Sequence, residues 1–220
     1  LRRDPTHQLL LGRCPEAGRE LASQPTISRL ENAFDEVQVK AANRAFSGAV
    51  LARHQRRLGK NVGRVIIDVD ATWDDAHGEQ QGALFNGFYR NHGFLPLLAF
   101  IQFDSEREQY LMAALLRPGN AGNKQVLGFL TGVIEQVKER FPKTDLIVRA
   151  DAGFALPEVL EYLDDHQVRY AIGMSSNQRL LEFAEPGLVI ARALSEASDK
   201  SERVYVDEQY QTRRSWPHSR

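Results

Sequence analysis

Asp70 and Asp151 are the residues of this 220-residue chain whose type and setting point most directly to chemistry. Each ends a short run of β-branched or aliphatic residues. Val65-Ile66-Ile67 leads into Asp68-Val69-Asp70, Leu146-Ile147-Val148 leads into Arg149-Ala150-Asp151, and an alanine follows each terminal aspartate. A carboxylate at the end of a buried strand is desolvated unless a partner offsets its charge. Hard divalent cations such as Mg²⁺ or Mn²⁺ are suitable partners for oxygen ligands. Two carboxylates on neighbouring strands, about 4.8 Å apart, could hold a metal centre that activates water or a 3′-hydroxyl and stabilises the leaving oxygen in phosphoryl transfer. The same aspartates could instead cap a helix or a turn, and spacing alone leaves both readings open.

Asp68 adds a second possibility. Asp68-Val69-Asp70-Ala71-Thr72 fits D-x-D-x-T, a motif that resembles the nucleophile strand of haloacid-dehalogenase-type phosphatases. There the first Asp would be the nucleophile and the second the acid/base. Strand alternation puts Asp68 and Asp70 on one face, so Asp68 is also the fallback metal ligand. The phosphatase reading needs a later acidic pair and an early helix; Asp151-Ala152-Gly153-Phe154-Ala155 offers one Asp and no second acid. Around these acids lie polar residues suited to phosphate or DNA. Arg149 should share the face of Asp151 and could grip phosphate or form a structural ion pair. His77 and Asn86 could contact DNA, or serve as ordinary loop residues. Arg53, Arg56 and Arg57 lie on or beside the polar side of a helix and are candidate phosphate contacts.

The elements that must position these residues can be read along the chain. Residues 1–60 read as helical: Ser28-x-x-Glu31 matches a capping box, and Phe46, Val50, Leu51 and Leu58 lie near helical spacing. Gly59-Lys60-Asn61-Val62-Gly63 breaks the pattern and marks the expected boundary with a second domain, 61–220. In that domain strands are expected at Val65–Ile67 running into the acids, at Phe94–Ile101 and at Tyr110–Leu116. Gly78–Gly87 reads as turns. Val126, Leu127, Leu130, Val133, Ile134 and Val137 form the apolar stripe of a helix that Pro142 ends. A strand at Leu146–Val148, a helix at Pro157–Asp165 and a strand at Tyr170–Gly173 follow. Three sequential strands and then strand–helix alternation predict a mixed sheet, an antiparallel meander continued by parallel strands. The expected class is α/β: a ribonuclease H-like mixed sheet with flanking helices, preceded by a small helical N-terminal region.

Composition sets the outer limits. Apolar residues are 42% and charged residues 26% of the chain, ordinary for a globular protein. There is no run of about 18 apolar residues to span a membrane, and no apolar segment of a secretory leader follows Leu1-Arg2-Arg3-Asp4. One cysteine, Cys14, excludes an internal disulfide and a zinc-finger cluster. The net charge of −1 hides an asymmetry: residues 1–60 hold 11 Lys and Arg against 6 Asp and Glu. A basic arm on an acidic body suits a protein that holds a polyanion with one part and metal with another, although solvated helix faces give the same balance.

Several blocks then carry a resemblance. Asp68-Val69-Asp70-Ala71-Thr72 followed by His77-Gly78-Glu79-Gln80-Gln81-Gly82-Ala83-Leu84-Phe85-Asn86-Gly87-Phe88-Tyr89 resembles the first block of DDE transposases of bacterial insertion sequences, within the group named after insertion sequence 1380. Leu111 to Asn120, Ile147 to Phe154, Gly18 to Asn32 and Tyr210 to Pro217 resemble further blocks in the same order. The resemblance implies a ribonuclease H-like catalytic domain in which two Asp and one Glu hold divalent metal, usually Mg²⁺. It implies binding to terminal inverted repeats, nicking at the element ends and joining of the freed 3′-hydroxyl to target DNA, by a homo-oligomer in the bacterial cytoplasm at the nucleoid. By motif, the first acid is Asp70 and the second Asp151. The Glu of the family follows an insertion that begins here near Ser201–Trp216; Glu202 and Glu208 match no Glu motif. The chain is therefore expected to be a fragment, starting at Leu1 rather than Met, without full activity alone. The alternative is a non-catalytic DNA-binding remnant of the same fold.

Overall fold

The computed structural model describes residues 2–17, 20–104 and 106–210. They form two compact units, Leu1–Gly48 and Ala49–Arg220. Gly18, Arg19 and residues 211–217 of the blocks named above lie outside the described residues.

The first unit is helical. Helix α1 (Pro5–Leu10) is capped by Asp4, whose side chain accepts from the His7 N–H. Helix α2 (Gln24–Glu31) begins behind Ser23 with Pro25 in its first turn. This corrects the expected capping box at Ser28. Pro25 has a fixed φ and no N–H to lose, so it favours a helix start just before it, and Ser28 falls inside the helix. Helix α3 (Glu36–Leu58) starts in this unit and ends in the next, so the units divide within the helix, while its end at Leu58 lies close to the glycine break near residue 60.

The second unit is built on a five-stranded sheet of β1 (Arg64–Ala71), β5 (Leu97–Phe103), β6 (Tyr110–Leu115), β7 (Asp145–Ala150) and β8 (Arg169–Ile172), in the order β6-β5-β1-β7-β8. β5 runs antiparallel to β1 and to β6, whereas β7 and β8 continue the sheet in parallel. The parallel strands need crossovers, and helices α4 (Val126–Arg140) and α5 (Pro157–Asp165) supply them. This is the ribonuclease H-like mixed sheet with flanking helices. The strand expected from Phe94 starts instead at Leu97. Pro96 has no N–H to give a ladder, and Phe94 ends β4 (Asn91–Phe94), which pairs with β2 (Asp74–Asp75) and β3 (Leu84–Asn86) in a separate three-stranded sheet. The last strand closes at Ile172, one residue short of the expected Gly173. A long helix, α6 (Gln178–Ser198), follows, capped by Asn177 through the Leu180 N–H.

The core lies on one face of the large sheet. Val65, Ile67 and Val69 of β1, Leu97, Ala99, Ile101 and Phe103 of β5, and Leu146 and Val148 of β7 are buried there with Leu130, Val133, Ile134 and Val137 of α4. Leu51, in the last turns of α3, joins this core. Alternation turns Ile66, Asp68 and Asp70, with Gln102, Ile147 and Arg149, to the opposite face, which is half-buried to exposed. No described helix is long and apolar enough to cross a membrane.

Candidate active site

The pairing of β1 with β7 decides where the acids stand. Asp68 is the partner of Arg149 and Val69 of Ala150. Asp70 and Asp151 are the next residues along both chains, and Asp151 keeps an extended backbone, φ −79° and ψ −177°. They therefore sit side by side at the carboxyl ends of adjacent parallel strands, at a strand spacing of about 4.8 Å. Both are exposed, which corrects the expectation of desolvated carboxylates. They face the open side of the sheet, away from α4 and α5.

Each acid is partly held by the backbone. Asp70 Oδ1 accepts from the Ala71 N–H at 2.8 Å, and Asp151 Oδ1 accepts from the Gly153 N–H at 2.9 Å, capping the turn Ala152–Phe154. Turn capping and metal binding are thus compatible, because one oxygen of each carboxylate stays open: among the described residues, Oδ2 of neither has a hydrogen-bond or ion-pair partner. Gly173 lets β8 close in on this turn, since a Cβ there would stand 3.1 Å from the Ala152 nitrogen and 3.4 Å from the Asp151 carbonyl carbon. Two open carboxylates fit a hard divalent ion, which commonly takes one or two protein carboxylates and completes its shell with water and substrate phosphate. No cluster of three His, Cys, Asp or Glu side chains able to hold a metal occurs among the described residues.

Asp68 has a different setting. Its Oδ1 and Oδ2 accept from Arg149 Nε and Nη2 at 2.6 and 2.7 Å, and Oδ2 accepts also from Gln109 Nε2 at 2.6 Å. This two-pronged pair raises the Arg149 guanidinium above its ordinary pKa through its hydrogen bonds to Asp68. Both oxygens of Asp68 are spent, and an antiparallel strand rather than a helix follows β1 in the sheet. Neither feature suits a phosphatase nucleophile.

The remaining candidates divide by partner. Asn86 is spent on structure: its Nδ2 donates to the Gly119 carbonyl at 2.6 Å, and its Oδ1 accepts from the Phe88 N–H at 2.9 Å. Arg57 forks onto Glu106, with Nη2–Oε2 at 2.8 Å, which holds the Glu106 carboxyl below its ordinary pKa. Arg53 and Arg56 are exposed with no ion-pair partner among the described residues, and His77 is exposed in the loop after β2. One feature went unread in the sequence: the pairing of β3 and β4 as a hairpin. Its strands of three and four residues are too short to show alternation.

No curated protein matches the chain. Among solved structures, a Mos1 transposase paired-end complex with left transposon end is 13% identical, with a TM-score of 0.31, covering 94% of this chain and 63% of that one. A Mos1 mariner paired-end complex with Mn is 12% identical, with a TM-score of 0.32 and coverage of 77% and 54%. A piggyBac transposase synaptic complex with hairpin DNA is 15% identical, with a TM-score of 0.36 and coverage of 66% and 31%. The chain thus spans less than two thirds of the length of each of these proteins. The model of the family described as Transposase DDE domain group 1 matches residues 1–220, the whole length of the chain. An acid-tipped pair of parallel strands in a mixed sheet is therefore found in a chain that belongs to the DDE transposase domain family, group 1.

Proposed function

We propose that this chain is the catalytic part of a DNA transposase of a bacterial insertion sequence, which nicks at element ends and joins the freed 3′-hydroxyl to target DNA. The observation that carries this reading is the adjacent pair Asp70 and Asp151 at neighbouring strand ends, each with an open carboxylate oxygen. In this reading Asp70 and Asp151 hold Mg²⁺ or Mn²⁺. A divalent ion there polarises a phosphate oxygen and lowers the pKa of a bound water or hydroxyl. Asp68 and Arg149 pair across β1 and β7 behind the two acids and hold no metal. Arg53 and Arg56 on α3 contact DNA phosphates, and His77, exposed in the loop after β2, is a further DNA contact. Terminal repeats and target are both double-stranded DNA, held by more than one copy of the chain.

Because no third acid joins the pair among the described residues, the chain alone is proposed to bind metal weakly and to lack full strand transfer. The same observation favours a second reading, a DNA-binding chain without nicking. Localised oxidative cleavage separates them. Fe²⁺ replaces Mg²⁺, ascorbate and peroxide are added, and cuts in bound duplex DNA are mapped. Cuts at a few positions, lost in Asp70→Asn and Asp151→Asn while DNA binding persists, support the metal site. DNA binding without localised cuts supports the second reading, and no DNA binding overturns both.

A further inference from the structure

Beyond Ser198 the chain turns at Asp199, which takes a left-handed backbone with φ 51°, and comes back along α6. Ser195 Oγ donates to the Lys200 carbonyl at the turn. Gly187 makes room for the return, since a Cβ there would stand 3.0 Å from Val206 Cγ2 and 3.8 Å from Val204 Cγ1. At the other end of the helix the Tyr210 hydroxyl accepts from Asn177 Nδ2 at 3.0 Å, while Asn177 Oδ1 caps the Leu180 N–H. The start of α6 is thus closed by its own cap. In its first turn stands Arg179, exposed, with its guanidinium carbon 5.4 Å from the centroid of the Phe183 ring and 5.7 Å from that of Tyr210.

An exposed arginine ordinarily samples many rotamers, and two rings from two segments narrow that choice. Cation–π attraction works through the ring faces and leaves the N–H donors of the guanidinium open. Among the described residues the Arg179 side chain has no ion-pair partner. Glu182, one turn along the helix, accepts from Gln178 Nε2 at 3.1 Å instead, and the exposed Asp207 and Glu208 before Tyr210 form no ion pair with it. From His166 to Leu181 the chain carries no carboxylate. A placed planar fork with open donors matches a phosphodiester, which accepts two parallel N–H bonds.

We infer that Arg179 grips a backbone phosphate of the DNA, oriented for it by Phe183 and Tyr210; the inference rests on the DNA reading above and adds a contact on the β8 side of the sheet. β8 runs parallel to β7, and the Gly173 N–H donates to the Ala150 carbonyl at 3.0 Å, one residue before Asp151. Arg179 is six residues beyond Gly173, at most about 21 Å of chain. Duplex DNA covers that length in about six base pairs.

The test is the salt dependence of binding to a mixed-sequence duplex of about 30 base pairs, followed by anisotropy between about 50 and 200 mM salt. In Arg179→Gln the slope of log K against log salt should fall in magnitude by about 0.9, the share of one phosphate contact, and affinity should drop several-fold. Arg179→Lys keeps the charge and should keep the slope. Tyr210→Leu removes a ring and leaves the guanidinium, so it should keep the slope as well. An unchanged slope in Arg179→Gln overturns the inference. A slope lost equally in Tyr210→Leu or in Arg179→Lys also overturns it, and assigns Arg179 to holding residues 203–210 on the helix. Failure of the wild-type protein to bind the duplex overturns the DNA reading itself.

Discussion

Asp68 and Asp70 are two residues apart on one strand face, yet their surroundings assign them different work. Asp68 is saturated by Arg149 and Gln109, and Asp70 keeps an oxygen open. The sequence shows that both share a face, because alternation is a property of any strand. It does not show which one Arg149 grips, because that depends on the register of β1 against β7, a contact between residues 81 positions apart. The Asp68 side chain is 24% exposed and that of Arg149 44%, so water screens the pair and repays part of its loss. Asp68→Asn is expected to cost no more than about 1 kcal/mol in urea unfolding. A much larger cost would mean that the pair governs the fold rather than the local register.

At the scale of elements, the strands that carry the acids were legible because each is a compact β-branched or aliphatic run. Helix α4 was legible because its stripe is long enough to fix the period, and α5 because Pro157 marks its start. Helix α6 was not read, since its Pro186 interrupts an otherwise helical segment, and the small sheet was not, since its strands span two to four residues. The end of α3 shows how such elements lock. His54 is 4% exposed, stacked 4.8 Å from Phe103 and tilted against Tyr110 at 4.1 Å, with Nδ1 2.9 Å from Arg57 Nη2. Burial first, and then the charge of Arg57, lower its pKa; Glu106 pulls the other way, and Arg53 adds a smaller lowering. The folded state therefore keeps His54 neutral where the unfolded chain takes up a proton. Its contribution to stability is complete above about pH 6.5, the unfolded value, and declines as the pH falls below it. The urea midpoint should drop between pH 7.5 and 5.5, and His54→Phe, which keeps the stack, should flatten that slope. An unchanged slope in the variant would show that other groups set it.

For the molecule as a whole, the mixed sheet places a buried face under α4 and α5 and leaves the opposite face to the acids. That division explains how strand ends can carry carboxylates without burying them: solvent reaches both acids directly, and the core is not disturbed. It also explains what the sequence could not tell. Strand-end aspartates look alike whether they face a core or an open surface, and only the sheet decides. The direct test of the paired site is Mn²⁺ binding followed by electron paramagnetic resonance at constant pH and ionic strength, on the wild-type protein and on Asp70→Asn, Asp151→Asn and Asp68→Asn. The expected result is weak binding by the wild-type protein, lost by at least tenfold in Asp70→Asn and in Asp151→Asn and retained in Asp68→Asn. Binding that survives both Asp70→Asn and Asp151→Asn, or that fails only in Asp68→Asn, would contradict the assignment of the metal to the strand-end pair.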